Sequence, residues 1–330
     1  MSENKNKRNL EIDFIKIVAC IGVVFLHTIG LKSNKFNNFI YYIGTISIPL
    51  FFMVNGFMIL NKTEMNGKYI LKKILRILYI VTIWNIIDYM IIFYKKRNTD
   101  NIVIQIIKSL LEKGNITWFW FMGALILIYI CTPVLYKILH NEKINTKFLI
   151  FCVSICELIY IINIMFGYKQ IKIIKEMIPQ TLRIWTWITY FYLGGYSKKH
   201  FKWNKKYKLA IILLIPSVMI YEFMVSNNIL NNLYAENFYD NIFVIILTVL
   251  FFNFILNTNI NSKYTNVIVN ISSMTFGIYI IHMFLVIELS KYYNFENGLV
   301  NFISFIFVIN ISGILSYIIK KIPVIRTIVQ

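Results

Sequence analysis

The feature that most constrains this chain is a series of apolar runs of roughly 20 residues that recurs along its whole length. A backbone inside hydrocarbon has no water to satisfy its N–H and C=O groups, so each run must close its own hydrogen bonds as a helix. Ten spans are expected, at about 12–31, 39–60, 70–94, 117–139, 147–166, 183–198, 207–225, 239–256, 265–289 and 299–319. The expected fold class is an all-α integral membrane protein, a bundle of about ten transmembrane helices. No connection is long enough for a soluble domain, so residues 1–330 read as a single membrane domain with no fused extracytoplasmic domain. The basic start followed by an apolar run resembles a secretory leader. It lacks a small-x-small cleavage site, so it reads as a retained first helix.

Only 15% of residues are charged, against about a quarter in an ordinary soluble domain. The net charge of +19 would suit nucleic acid. The basic residues, however, sit in short loops between apolar runs, where they orient helices across a bilayer. The lipid bilayer is the expected partner and nucleic acid is not. With an even number of spans both termini share a side. Placing them in the cytoplasm puts about 20 Lys and Arg inside and about 12 outside. Lys95-Lys96-Arg97 is the exception on the outer side. The expected location is the cell (plasma) membrane, multi-pass, with cytoplasmic termini. Residues 102–111 have amphipathic helical spacing suited to the membrane surface. Cys20, Cys131, Cys152 and Cys156 all lie in apolar runs and read as packing residues, with no metal site expected.

Within the first run Asp13, Lys16 and His27 stand out, because an ionisable group in a span costs several kcal/mol or more. Eleven helical steps bring Lys16 and His27 within roughly 20° of one another, about 16 Å apart along the axis. Histidine suits general-base work near neutral pH. Lys16 either neutralises an anionic substrate or pairs with Asp13, and snorkelling to the interface would also account for it. At the start of the third run Lys72, Lys73 and Arg76 form a basic cluster that suits phosphates, with Arg76 one turn deeper than membrane anchoring requires.

Four further features are weaker. Pro49 interrupts the ladder near the start of 47–60, and helix packing accounts for Asn55-Gly56. Arg183, with Trp185 and Trp187, opens the sixth run, and Trp118 and Trp120 open the fourth. These form either an aromatic belt or a sugar-stacking cleft. Tyr279 and His282 lie three apart in the ninth run and either extend a proton path or join helices by hydrogen bonds. Asn85, Asp88, Glu157 and Glu222 need partners that sequence does not pair. HExxH, G-x-S-x-G, Walker A and Rossmann patterns are all missing, which argues against soluble-type hydrolases and ATP-driven machines.

Taken in order, these segments resemble acyltransferase family 3, the multi-span bacterial O-acyltransferases. The first run resembles the family's opening of an acid, a basic residue, ten residues and a histidine: Asp13, Lys16 and His27. PLFFMVNGFMIL resembles its second span, with Asn55 where Ser is usual. KKILRIL resembles its third, with Lys73 where Arg is common. WFWFMGALILIYICTPVL, RIWTWITYFYLGGYSKK and FGIYIIHMFLV resemble the fourth, sixth and ninth. The resemblance implies an O-acyltransferase, most naturally an O-acetyltransferase, with no bound cofactor and acetyl-CoA or another acyl-CoA as donor. The acceptor would be a hydroxyl of an envelope polysaccharide or its lipid-linked precursor. His27 would be the essential histidine, as base or acyl relay, with Lys16 and Asp13 beside it. Lys72, Lys73 and Arg76 would bind acyl-CoA. Arg183, Trp118, Trp185, His282 and Tyr279 are the acceptor-side candidates. The competing reading is a polysaccharide exporter or flippase that transfers no acyl group.

Overall fold

Asn9 starts the first helix by accepting the Ile12 amide on its side chain at 2.8 Å, and Glu11 and Asp13 follow in the first turn, where acids complement the helix dipole. The computed structural model describes residues 8–29, 35–94, 100–171 and 174–329, whose regular elements are all helical, with no strand among them. The helices are α1 (Leu10–Thr28), α2 (Lys35–Tyr41), α3 (Ser47–Leu60), α4 (Gly67–Tyr94), α5 (Ile102–Leu110), α6 (Trp120–Leu139) and α7 (Asn145–Tyr168). They continue as α8 (Ile174–Met177), α9 (Ile184–His200), α10 (Lys206–Val225), α11 (Ile242–Leu256), α12 (Thr265–Ser272), α13 (Thr275–Leu289) and α14 (Gly298–Lys321). The basic triplet at 95–97 lies outside the described residues.

Among the described residues each of the ten expected runs forms helix over most of its length, but they differ in how well each suits a bilayer. Six are long and apolar enough to cross: the α2–α3 run, α4, α6, α7, α10 and α14. The α12–α13 pair makes a seventh only if its 48° bend is taken as one broken span. The count of ten therefore does not follow from length and composition. Helix α1 carries Glu11, Asp13 and Lys16, while α9 has 17 residues and α11 has 15. A 15-residue helix rises about 22 Å, short of a hydrocarbon core of about 30 Å.

Two breaks differ from the uninterrupted runs expected. The ninth run parts at Ser273-Met274. Ser272 bonds the Asp13 carboxylate at 2.8 Å and Ser273 bonds the Asn270 carbonyl at 2.6 Å, local alternatives that compete with the helix ladder. Pro49 does not interrupt a helix. The chain turns at Thr45-Ile46, so Pro49 falls in the first turn of α3, where its missing N–H has no intrahelical partner to lose.

The core forms around α3 and α9. A Cβ on Gly56 would lie 1.7 Å from the Phe191 carbonyl oxygen, and one on Gly194 would lie 1.9 Å from that of Met53. Small residues thus let the two backbones touch, the packing mode of membrane helices. Phe52 and Trp187 stack across this contact with centroids 4.5 Å apart. The amphipathic stretch at 102–111 forms α5 with its polar residues turned inward: Gln105 and Ser109 are buried, while Val103, Ile104 and Ile107 are exposed. Ser109 accepts from Asn85 on α4 at 3.0 Å.

The other polar groups of the apolar runs also find partners. Asp88 accepts from Asn115 at 3.2 Å, Glu157 from the Ile242 amide at 2.7 Å, and Glu222 from Thr45 at 3.2 Å.

Candidate active site: a basic cavity and a pair of histidines

Residue Asp13 is 2% exposed and anchors one wall of the site. Its carboxylate pairs with Arg8, takes Lys16 Nζ at 3.0 Å, and accepts from Ser272. The (i, i+3) spacing on α1 places Lys16 over Asp13, and the bend between α12 and α13 brings Ser272 to the same carboxylate. Lys16 thus pairs with Asp13 while remaining partly exposed to a cavity of about 770 Å³.

Lys72, Lys73 and Arg76, from the first turns of α4, face this cavity from another side. Lys73 Nζ lies 5.3 Å from the Tyr69 ring and 5.8 Å from that of Tyr129, within cation–π reach. Tyr129 in turn donates to Asn55 Oδ1 at 2.9 Å, which ties α6 to α3 behind the cations. Arg8, Lys16, Lys72, Lys73 and Arg76 line the cavity, and among the described residues no carboxylate does. Apolar side chains, Phe51, Val54, Ile80, Phe121 and Leu125 among them, form another part of the lining, beside polar groups such as Asn55, Ser272 and Tyr279. A pocket of this volume, charged on one side and apolar on the other, suits an amphipathic anion.

His27 does not line the cavity; it stands beyond Tyr279. Helices α1 and α13 run in parallel here. Cys20 Sγ lies 3.5 Å from the Thr275 carbonyl, and seven residues further on each helix the His27 and His282 rings meet, centroids 5.3 Å apart. Seven residues make two turns, so the contact repeats on the same faces. His282 is fully buried and its ring is 6.0 Å from that of Tyr279. Tyr279 donates to the Trp118 carbonyl, and Trp118 Nε1 donates to the Ile280 carbonyl at 3.1 Å. From the cavity the rings follow one another as Tyr279, His282 and His27, with His282 buried and His27 exposed.

The acceptor-side candidates therefore separate into two places. Trp118, Tyr279 and His282 join His27. Arg183 and Trp185 belong to a second polar cluster where α9 begins. There Arg183 Nε donates to the Ile178 carbonyl at 3.2 Å and Trp185 Nε1 to Asp240 at 3.2 Å. Trp118 and Trp187 are buried with their ring N–H groups donated to carbonyls, so they serve the interior rather than a belt or an open platform. In this cluster Glu112 accepts the Gln180 amide at 2.5 Å, and Gln180 Nε2 donates to Glu236. Burial pushes the Glu112 carboxyl up to about 7; Glu236 adds to the rise, while the Gln180 N–H and Arg183 oppose it.

Sequence reasoning did not single out Arg8, Ser272, Ser273 or Thr275, all of which line the cavity. Arg8 carried a signal, a cation five residues before Asp13. The serines carried none until the bend placed them there. Among the described residues no three His, Cys, Asp or Glu side chains gather as a metal site.

A family model described as an acyltransferase domain matches residues 9–321. The chain belongs to acyltransferase family 3. The histidine pair and every described cavity-lining residue except Arg8 lie within the matched region. An amino-acid racemase of Enterococcus faecalis is 27% identical over 180 residues, which is 52% of this chain and 24% of that protein. This chain thus spans about a quarter of that relative's length. No solved structure matches.

Proposed function

We propose that this member of the family moves an acyl group, most naturally acetyl, from acyl-CoA to a hydroxyl of an envelope or capsular polysaccharide or its lipid-linked precursor. The observation that carries the reading is the cavity: among the described residues five cations and no carboxylate line it, an apolar wall stands beside them, and the histidine pair lies behind its Tyr279 side. The phosphates of the donor rest on Lys72, Lys73 and Arg76, with Arg8 and Lys16 across from them. The pantetheine arm follows the apolar wall toward Tyr279. His27 takes the proton of the acceptor hydroxyl as its oxygen attacks the thioester carbonyl. The carbon–oxygen bond forms, the carbon–sulfur bond breaks, and CoA leaves as thiolate and takes up a proton. A covalent acyl-His27 relay would use the same nitrogen.

In this proposal α1, α9 and α11 complete a ten-helix bundle over residues 1–330, the short α9 and α11 being sheltered by their neighbours. The cavity opens to the cytoplasm of a cell-membrane protein with both termini on that side, as the Lys and Arg bias favours. Titration calorimetry with acetyl-CoA tests the donor site. Wild type should bind, and Arg76→Ala should weaken affinity about 10–100-fold, the size of a lost charge-assisted hydrogen bond or two. No heat of binding by wild type would sink the donor assignment and favour an exporter.

A further inference from the structure

Why a second histidine is buried beside His27 is a separate question from why His27 is there. His282 is 0% exposed, and its Nδ1 lies 3.1 Å from the Ile278 carbonyl. A carbonyl only accepts, so the ring proton sits on Nδ1 and Nε2 carries a bare lone pair. That Nε2 is buried with no hydrogen-bond partner among the described residues. A buried acceptor left open costs about 1–3 kcal/mol unless something uses it. The His27 ring lies beside that of His282, at 5.3 Å between centroids and 45° between planes, without a hydrogen bond between them, and His27 itself is exposed and so has room to turn. Tyr279 flanks His282 from the cavity side, with its hydroxyl already given to Trp118. It therefore does not compete for Nε2.

We infer that the exposed His27 side chain rotates during the reaction to donate its N–H to His282 Nε2, making His282 the positioning residue that fixes the tautomer and orientation of the reactive imidazole. A neutral acceptor in this role holds one His27 nitrogen as N–H and leaves the other as a lone pair facing the substrate. The Ile278 carbonyl completes a chain from backbone to His282 to His27. No charge is buried by this arrangement, which a carboxylate orienter in an apolar bundle would require. When His27 takes the acceptor proton, the new imidazolium shares its positive charge with His282 Nε2 and returns it when CoA leaves protonated. The inference rests on reading His27 as the group that handles the acceptor proton.

The test separates the two claims by measuring His27 without catalysis. Diethyl pyrocarbonate acylates a neutral imidazole: a lone-pair nitrogen attacks a carbonyl carbon, the carbon–nitrogen bond forms, and ethyl carbonate leaves with the ring proton. The rate at the His27 peptide is read by mass spectrometry for wild type, His282→Gln and His282→Leu, after each is shown to be monodisperse. The glutamine oxygen can still accept, so its His27 rate should stay within about twofold of wild type, while the leucine variant should fall by at least about fivefold. Acyl transfer should follow the same order, with kcat reduced and the donor KM unchanged. Equal His27 rates in all three proteins, or no modification of His27 in wild type, would overturn the pairing. His282→Phe, which keeps a ring, replaces the leucine variant if that fails to insert. A His27 rate that follows His282 in a protein with no transfer activity would keep the pairing and sink the acyltransferase reading. His27-dependent transfer with indifference to His282 would do the reverse.

Discussion

Asp13 is the residue on which the basic wall depends. It is buried under two cations and a serine hydroxyl, and it joins α1 to the bend between α12 and α13. Replacing it with Asn keeps the shape and the Ser272 hydrogen bond but removes the charge that holds Arg8 and Lys16. Asp13→Asn should cost about 1–3 kcal/mol of stability and loosen donor binding through a mobile Lys16, checked by thermal melting and calorimetry. At this scale the sequence was readable where partners lie on one helix: Asp13 with Lys16, and Lys73 with Arg76, each three apart. It was silent where they do not. Ser272 reaches Asp13 across 259 positions, and His27 meets His282 only because α1 and α13 run in parallel. Pattern within a helix cannot supply that register.

At the scale of elements, the contact of α3 with α9 sets the frame around which the cavity is built. Gly194→Ala would drive a methyl into the Met53 carbonyl, and Gly56→Ala one into that of Phe191. Backbone cannot yield as a side chain does, so each should destabilise by about 1–3 kcal/mol or more, seen as a lower melting temperature in detergent. The turn between α5 and α6 should respond to pH. Burial holds the Glu112 carboxyl at about 7 against an ordinary 4.5, with Glu236, Gln180 and Arg183 facing it. The folded turn therefore binds more protons than the unfolded chain between those values. Stability should fall as pH rises through that window, by about 1 kcal/mol after allowing for its partial exposure. Melts at pH 5 and 8 should show the drop in wild type and lose it in Glu112→Gln. The positions of these elements were legible from apolar runs. Their breaks were not, because the Thr45-Ile46 turn and the Ser273-Met274 bend are set by tertiary partners.

For the whole molecule, apolar length fixes that the chain is helical and membrane-bound, and says less about how many helices cross. Helices α1, α9 and α11 fall outside the simple test because of charge or length, yet α1 carries the site and α9 forms half of the central contact. A chain selected for function inside a bilayer violates the local rule where its chemistry sits. The cationic cavity and the histidine pair, linked through Tyr279, give the molecule an axis from charge to imidazole. The most direct measurement is acceptor-dependent thiol release from acetyl-CoA, by purified wild type and by His27→Ala, with a panel of envelope glycans. Loss of a positioned general base costs about 10²–10⁴-fold. The account predicts a fall of that size in the variant with acetyl-CoA still bound, and release by His27→Ala at the wild-type rate would contradict it.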